Sequence, residues 1–285
     1  MKRLVVMLVM CAIPAALAGT LLAAGPSGGR NANAAGPRAE REAVNFISSC
    51  RFSHMNSDDP IVYPGQPNKS HPHTFVSNTS TDAFSTLASL RAAGTTCQRP
   101  GDTAAYWMPT LVQDGQAVTP AGATIYYRAR TRGRIFPFPA GLKMIAGDAR
   151  AMMPQSMRVT FWNCGVEAGV PRSSTVPTCP EGRGSSLRLH VTFPDCWNGR
   201  TLDSADHKSH MAYSENGVCP ASHPVAVPAI SFTMRYPIAG GSDVELSSMG
   251  QYSGHADFFN AWDQAALTRL VNGCLNARRH CGRGV

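Results

Sequence analysis

Ala123-Thr124-Ile125-Tyr126-Tyr127-Arg128-Ala129-Arg130 alternates small, β-branched or aromatic residues with polar and charged ones. On an extended chain, successive side chains point to opposite faces. Ile125 and Tyr127 then share one face, and Tyr126, Arg128 and Arg130 the other. This is the pattern of a half-buried strand. Working outward, runs of similar character occupy Ala105–Val112, Met157–Trp162, Leu187–Phe193 and Ile230–Tyr236. The 21 prolines and 26 glycines imply many turns and few long helices. Two helices are expected, at Thr81–Ala92 and from about Asp257 to Cys274, where Phe259, Trp262, Ala266, Leu270 and Cys274 form a stripe. The fold class expected is mainly β (α+β): a β-sandwich or jelly-roll-like single domain with peripheral helices, stapled by disulfides.

The N-terminus reads as an export signal. Lys2 and Arg3 precede the apolar run Leu4–Leu17, and Ala16-Leu17-Ala18 and Leu22-Ala23-Ala24 offer cleavage points. The run falls short of the roughly 20 apolar residues of a spanning helix, so no membrane span is expected. Residues 1–24 are assigned to the signal and 25–42, rich in Gly, Ala, Asn, Pro and Arg, to a flexible leader. The single domain then runs over 43–285, and the chain is expected to be an extracellular monomer.

Removing Cys11 with the signal leaves Cys50, Cys97, Cys164, Cys179, Cys196, Cys219, Cys274 and Cys281, an even set suited to disulfides in an exported chain. None forms a C-x-x-C pair. The preferred pairing joins sequence neighbours: 50–97, 164–179, 196–219 and 274–281. The formal charge is +8, and losing Lys2 and Arg3 lowers it to +6, nearly all from arginine. Such a balance suits anionic glycans or wall polymers; no nucleic-acid-binding motif is present. From Arg128 the even positions continue as Arg130, Arg132 and Arg134, a stripe that is either an anion-binding row or a solvated face or loose loop.

Histidines and acids gather in four segments. In Asp59-Pro60-Ile61-Val62 to Ser70-His71-Pro72-His73, the two histidines of an extended H-x-H face the same way and can reach one metal or one substrate oxygen. Alternatively they are loop residues bonded to carbonyls. The segment from Asp195-Cys196-Trp197-Asn198-Gly199 to Asp206-His207-Lys208-Ser209-His210 offers a rigid Asp195, and it places His207 and His210 on one face if helical; turn and cap roles are the alternative. In the third, His223 stands between Ser222 and Pro224, close to Cys219. In the fourth, Asp257 either caps the last helix or orients His255 as a base. The chain contains no H-E-x-x-H, G-x-S-x-G, phosphate loop or dinucleotide fingerprint. Gly65 with His71 and His73 matches only the opening of the cupin metal motif.

These segments, with Phe136-Pro137 and Gly141-Leu142-Lys143-Met144-Ile145-Ala146-Gly147-Asp148, occur in an order that resembles the domain-of-unknown-function family nineteen ninety-six, over about Cys50 to Cys274. The resemblance implies a secreted or wall-associated protein, and the family's association with carbohydrate-binding WSC modules implies a polysaccharide-related role. It carries over no catalytic residue. Ala261 departs from the glycine expected before Trp262.

The reading that follows is an enzyme acting on an extracellular polysaccharide by hydrolysis or lyase elimination. His71, His73, His210 and His255 would serve as acid, base or ligands, and Asp195 and Asp257 would orient them or act as the paired acid. Asp59, Arg128, Arg130, Trp197, His207 and His223 would hold substrate, and Trp197 or Tyr126 would stack on sugars. Two alternatives are a non-catalytic protein binding wall or anionic glycan, and a divalent-metal protein with His71 and His73 as ligands.

Overall fold

The computed structural model of the chain describes residues 44–283, so the expected signal and leader lie outside the described residues. The described residues fall within one compact unit, Pro37–Val285. Two five-stranded antiparallel sheets dominate. The first runs, in spatial order, Asn45–Cys50, Gly122–Arg128, Ala229–Arg235, Arg188–Thr192 and Thr160–Asn163; the second runs Phe52–Asn56, His73–Ser77, Ala105–Pro109, His255–Phe259 and Lys143–Gly147. Two small three-stranded sheets, around Cys196–Trp197 and Leu111–Gln113, complete the β structure.

Alternation decides how the sheets stack. Register places Ile125 opposite Phe232, and Phe232 opposite Val191, so one face of the first sheet is apolar throughout. It meets the face of the second sheet that carries Tyr106, Met108, Met144, Ala256 and Phe258, all buried in one continuous core. This is a β-sandwich. The other face of the second sheet is covered in turn: Ile61 and Leu90 pack with Phe75, Trp107 and Phe259 beneath the 59–72 loop and the helix Leu87–Ala92. No helix among the described residues is long and apolar enough to cross a membrane.

Both expected helices shrink. Residues 81–85 form turns, and the first helix is only Leu87–Ala92, opened by a Thr86–Ser89 capping box. The second correction matters more. His255–Phe259 is a strand between Ala105–Pro109 and Lys143–Gly147, and the helix Gln264–Leu270 begins after it, capped by Asp263 rather than Asp257. That helix continues as a π-helix over Val271–Asn276 and so passes Cys274 as expected. All five strand residues are buried. A strand covered on both faces lacks clean alternation and merges with the apolar stripe of the helix that follows.

The four disulfides are Cys50–Cys97, Cys164–Cys179, Cys196–Cys219 and Cys274–Cys281, the neighbour pairing expected. Each closes a loop of the unfolded chain and contributes about 2–4 kcal/mol.

A polar network threads the core. Ser48 and Tyr106 hydroxyls donate to the Asp102 carboxylate at 2.5 and 3.0 Å, Tyr106 and Tyr127 hydroxyls touch, and Trp262 Nε1 donates to Tyr127 Oη at 2.7 Å. Burial pushes the Asp102 carboxyl up to about 7, against the hydrogen bonds and Arg99, which pull it down. A carboxyl raised in the folded state binds protons there that the unfolded chain releases near pH 4. Stability therefore falls as pH rises between about 4 and 7, by up to about 1.4 kcal/mol per unit from this group. Urea unfolding of Asp102→Asn across that window should show a flatter pH dependence than wild type; an unchanged slope refutes the assignment.

Candidate functional site

The register of the second sheet brings the first and fourth histidine segments together. His73 opens the strand His73–Ser77, His255 opens His255–Phe259, and Asp257 lies opposite Trp107 with its side chain on the covered face. The turn at Asp59, whose carboxylate accepts from the Ile61 and Val62 amides at 2.8 and 2.9 Å, hangs over that face. The imidazole centroids of His71 and His73 are 4.3 Å apart, those of His71 and His255 5.0 Å, and those of His73 and His255 5.9 Å. One ligand atom from each of His71, His73 and His255 lies within 4.8 Å of the others, and the same holds for Asp59, His73 and Asp257.

Hydrogen bonds fix the tautomers. His73 Nδ1 donates to the Asp58 carbonyl at 3.0 Å and His255 Nδ1 to the Ser253 carbonyl at 2.8 Å, which leaves a lone pair on each Nε2. A backbone carbonyl behind the imidazole is the usual support of a metal-bound histidine. Three buried polar atoms here, His71 Nε2, His73 Nε2 and Asp257 Oδ2, have no hydrogen-bond partner among the described residues. Buried polar groups are seldom left so, and three in one cluster are atoms that a bound ion or water would satisfy.

Electrostatics agree. Burial lowers His71 to about 4 and His255 to about 3, and it holds His73 well below its ordinary value, so all three are neutral, the form that coordinates. Burial raises the Asp59 carboxyl, and burial together with Asp59 raises that of Asp257. Two buried carboxyls this close repel when both are charged, and a cation would relieve that. Only His71 is partly exposed; His73, His255, Asp59 and Asp257 are buried. The cluster therefore opens to solvent on the His71 side.

Neighbouring charges come from the 203–210 segment, which lies along the edge strand Lys143–Gly147. Lys208 Nζ donates to the Gly147 carbonyl at 2.7 Å, and Asp203 bonds His207 at 2.9 Å and pairs with Lys143 at 3.5 Å. Gly147 has φ +83°, and a Cβ there would fall 2.4 Å from the Gly254 carbonyl oxygen, so glycine alone lets this edge close against the His255 strand. Lys143 and Lys208 were invisible as site neighbours in the sequence, because nothing local marks which lysine ends beside a distant imidazole.

The other expected site residues are not among the clustered ligands, though His207 and His210 belong to the segment beside them. His207 and His210 share no helix: the stretch is turns, and His207 has φ +57°. His210 has both ring nitrogens engaged, with the Lys143 carbonyl at 2.7 Å and the Ser204 hydroxyl at 2.9 Å. His223 is likewise held by the Ser209 carbonyl and Ser222. Asp195 is buried and accepts from the Ser214 amide and hydroxyl at 2.8 and 2.7 Å, while Trp197 Nε1 donates to the Thr201 carbonyl. These are scaffold contacts around the Cys196–Cys219 bridge. His255 is oriented by Ser253, not by Asp257. Arg128 and Arg130 line a trough on the outer face of the first sheet, the opposite side of the sandwich. Arg132 and Arg134 do not continue their row; the strand ends at Arg128, and Arg134 stacks on Phe136.

No curated protein and no solved structure matches the chain. A family model described as domain of unknown function (DUF1996) matches residues 59–262, from the turn aspartate above the cluster to the buried Trp262. That span holds the whole His71/His73/His255 and Asp59/Asp257 constellation and most of both sheets, and the chain belongs to the DUF1996 family.

Proposed function

We propose that the chain is an exported, metal-dependent enzyme that cleaves an extracellular polysaccharide, with a divalent transition metal held by Nε2 of His71, His73 and His255. The observation that carries this reading is a pair of adjoining ligand groups that share His73: the imidazoles of His71, His73 and His255, and His73 with the carboxyls of Asp59 and Asp257. Imidazole nitrogen suits Zn, Cu, Fe or Ni. Two ligands at about 2.1 Å from one ion sit at most about 4.2 Å apart, so side-chain shifts under about an ångström close the three nitrogens onto it. Asp59 or Asp257 would supply a further oxygen ligand or serve as the base, and the ion would supply Lewis acidity. The His71 side is where substrate meets the ion.

Export is supported by the four disulfides, which persist in oxidising compartments. The sandwich behaves as a single monomeric domain in this reading. Asp195, His207, His210 and His223 take supporting roles rather than chemical ones.

Metal-loaded protein incubated with neutral and uronic polysaccharides tests the activity. New reducing ends indicate hydrolysis and unsaturated uronate ends indicate elimination; both should disappear in His255→Ala. No product from any polymer with the ion bound would overturn the enzymatic reading.

A further inference from the structure

The outer face of the first sheet forms a trough of about 800 Å³, on the opposite side of the sandwich from the histidine cluster. Its floor is the polar half of the same alternation that builds the core: Tyr126 lies opposite Ser231, and Thr233 lies between Thr124 and His190. Arginines come from several strands and loops, with Arg128, Arg130, Arg158, Arg172, Arg188, Arg235 and Arg283 all lining it. Arg235 and Arg283 also line a hollow at one end that reaches Arg51, and Arg130 and Arg158 line one at the other end, where Asp195 and Glu215 bound the basic stretch.

We infer that this trough binds an acidic polysaccharide, whose repeated carboxylate or sulfate groups pair with the guanidinium forks. Planar guanidinium groups match both oxyanions with paired hydrogen bonds, and a row of them along an open channel fits a polymer better than a single small anion. Single-stranded nucleic acid fits less well. It relies on rings that bases can stack on, and here the Arg128 guanidinium covers Tyr126 at 4.8 Å and that of Arg172 covers Phe161 at 4.4 Å. His190 stacks on Phe161 at 4.3 Å, and burial, with Arg188, Arg172 and Arg128 nearby, keeps it neutral down to about 3. The positive charge of the trough is therefore permanent guanidinium charge. The inference rests on the polysaccharide reading above and names the charge class of the polymer.

Affinity electrophoresis through polygalacturonate, a sulfated galactan and a neutral glucan, with a single-stranded oligonucleotide as competitor, provides the test. Retention by either acidic glycan, weakening at high salt, and no retention by the neutral glucan are expected. Arg128→Gln with Arg172→Gln should weaken binding at least about tenfold, the loss of two charge-assisted contacts. Arg158→Gln with Arg283→Gln, at exposed ends of the trough, should weaken it without risk to the fold. His73→Ala with His255→Ala should bind the glycan like wild type, so failure of the metal centre and failure of the trough are told apart. Wild-type binding by both arginine pairs, equal retention in neutral glucan, or tighter binding of the oligonucleotide would each overturn the inference.

Discussion

His73→Ala and His255→Ala should each abolish tight binding of a divalent transition metal by the purified protein, while His210→Ala and His223→Ala retain it. The two groups differ in what their ring nitrogens already do. In His73 and His255 one nitrogen donates to a carbonyl and the other faces the cluster. In His210 and His223 both nitrogens are held by the scaffold. An ion that binds only the folded chain stabilises it by about 4 kcal/mol when present at about a thousandfold its dissociation constant. For a domain of this size that raises the melting temperature by roughly 8–16 °C. Titration calorimetry with zinc and copper, and thermal melts with and without each ion, should show about one ion per chain and a stabilisation absent from both cluster variants. A wild-type protein that takes up no ion, or cluster variants that bind like wild type, would remove the metal centre.

Trp262→Ala should be among the most destabilising single changes in the core. Trp262 is 1% exposed, sits edge-on to Phe46 and Tyr127, and donates to the hydroxyls of both Tyr106 and Tyr127. Truncating a buried tryptophan costs about 3–5 kcal/mol for lost burial and cavity, and stranding buried hydroxyls adds about 1–3 kcal/mol. Against a typical total of about 5–15 kcal/mol, the variant is close to unfolded. Trp262→Phe keeps most of the volume and loses the donor, so it should sit between alanine and wild type in urea unfolding. A loss below about 1 kcal/mol for alanine would mean that this network carries no weight.

Much of the strand content was legible because alternation is a local property. Residues two apart on a half-buried strand see the same environment, so Gly122–Arg128 and Ala229–Arg235 were close to their expected spans. Where both faces are covered the signal fails, as at His255–Phe259, which read as the start of a helix. The Arg128–Arg134 stretch followed its loop alternative beyond the strand end at Arg128: spacing can place side chains on one face only while the backbone stays extended. The H-x-H at 71–73 succeeded, since i and i+2 on an extended chain lie side by side wherever the segment docks.

The sequence by itself determined the β-rich class, the family and the juxtaposition of His71 with His73, set by composition, motif order and short spacing; the neighbour pairing of the cysteines was one of many pairings it allowed. Tertiary structure alone decided that His255, Asp257 and Asp59 lie beside that pair, that His210, His223 and Asp195 have their polar atoms engaged locally, and that arginines from several segments share one trough. Strand pairing between distant segments sets those placements. Its register depends on side chains meeting across the sheet, a relation no local pattern encodes.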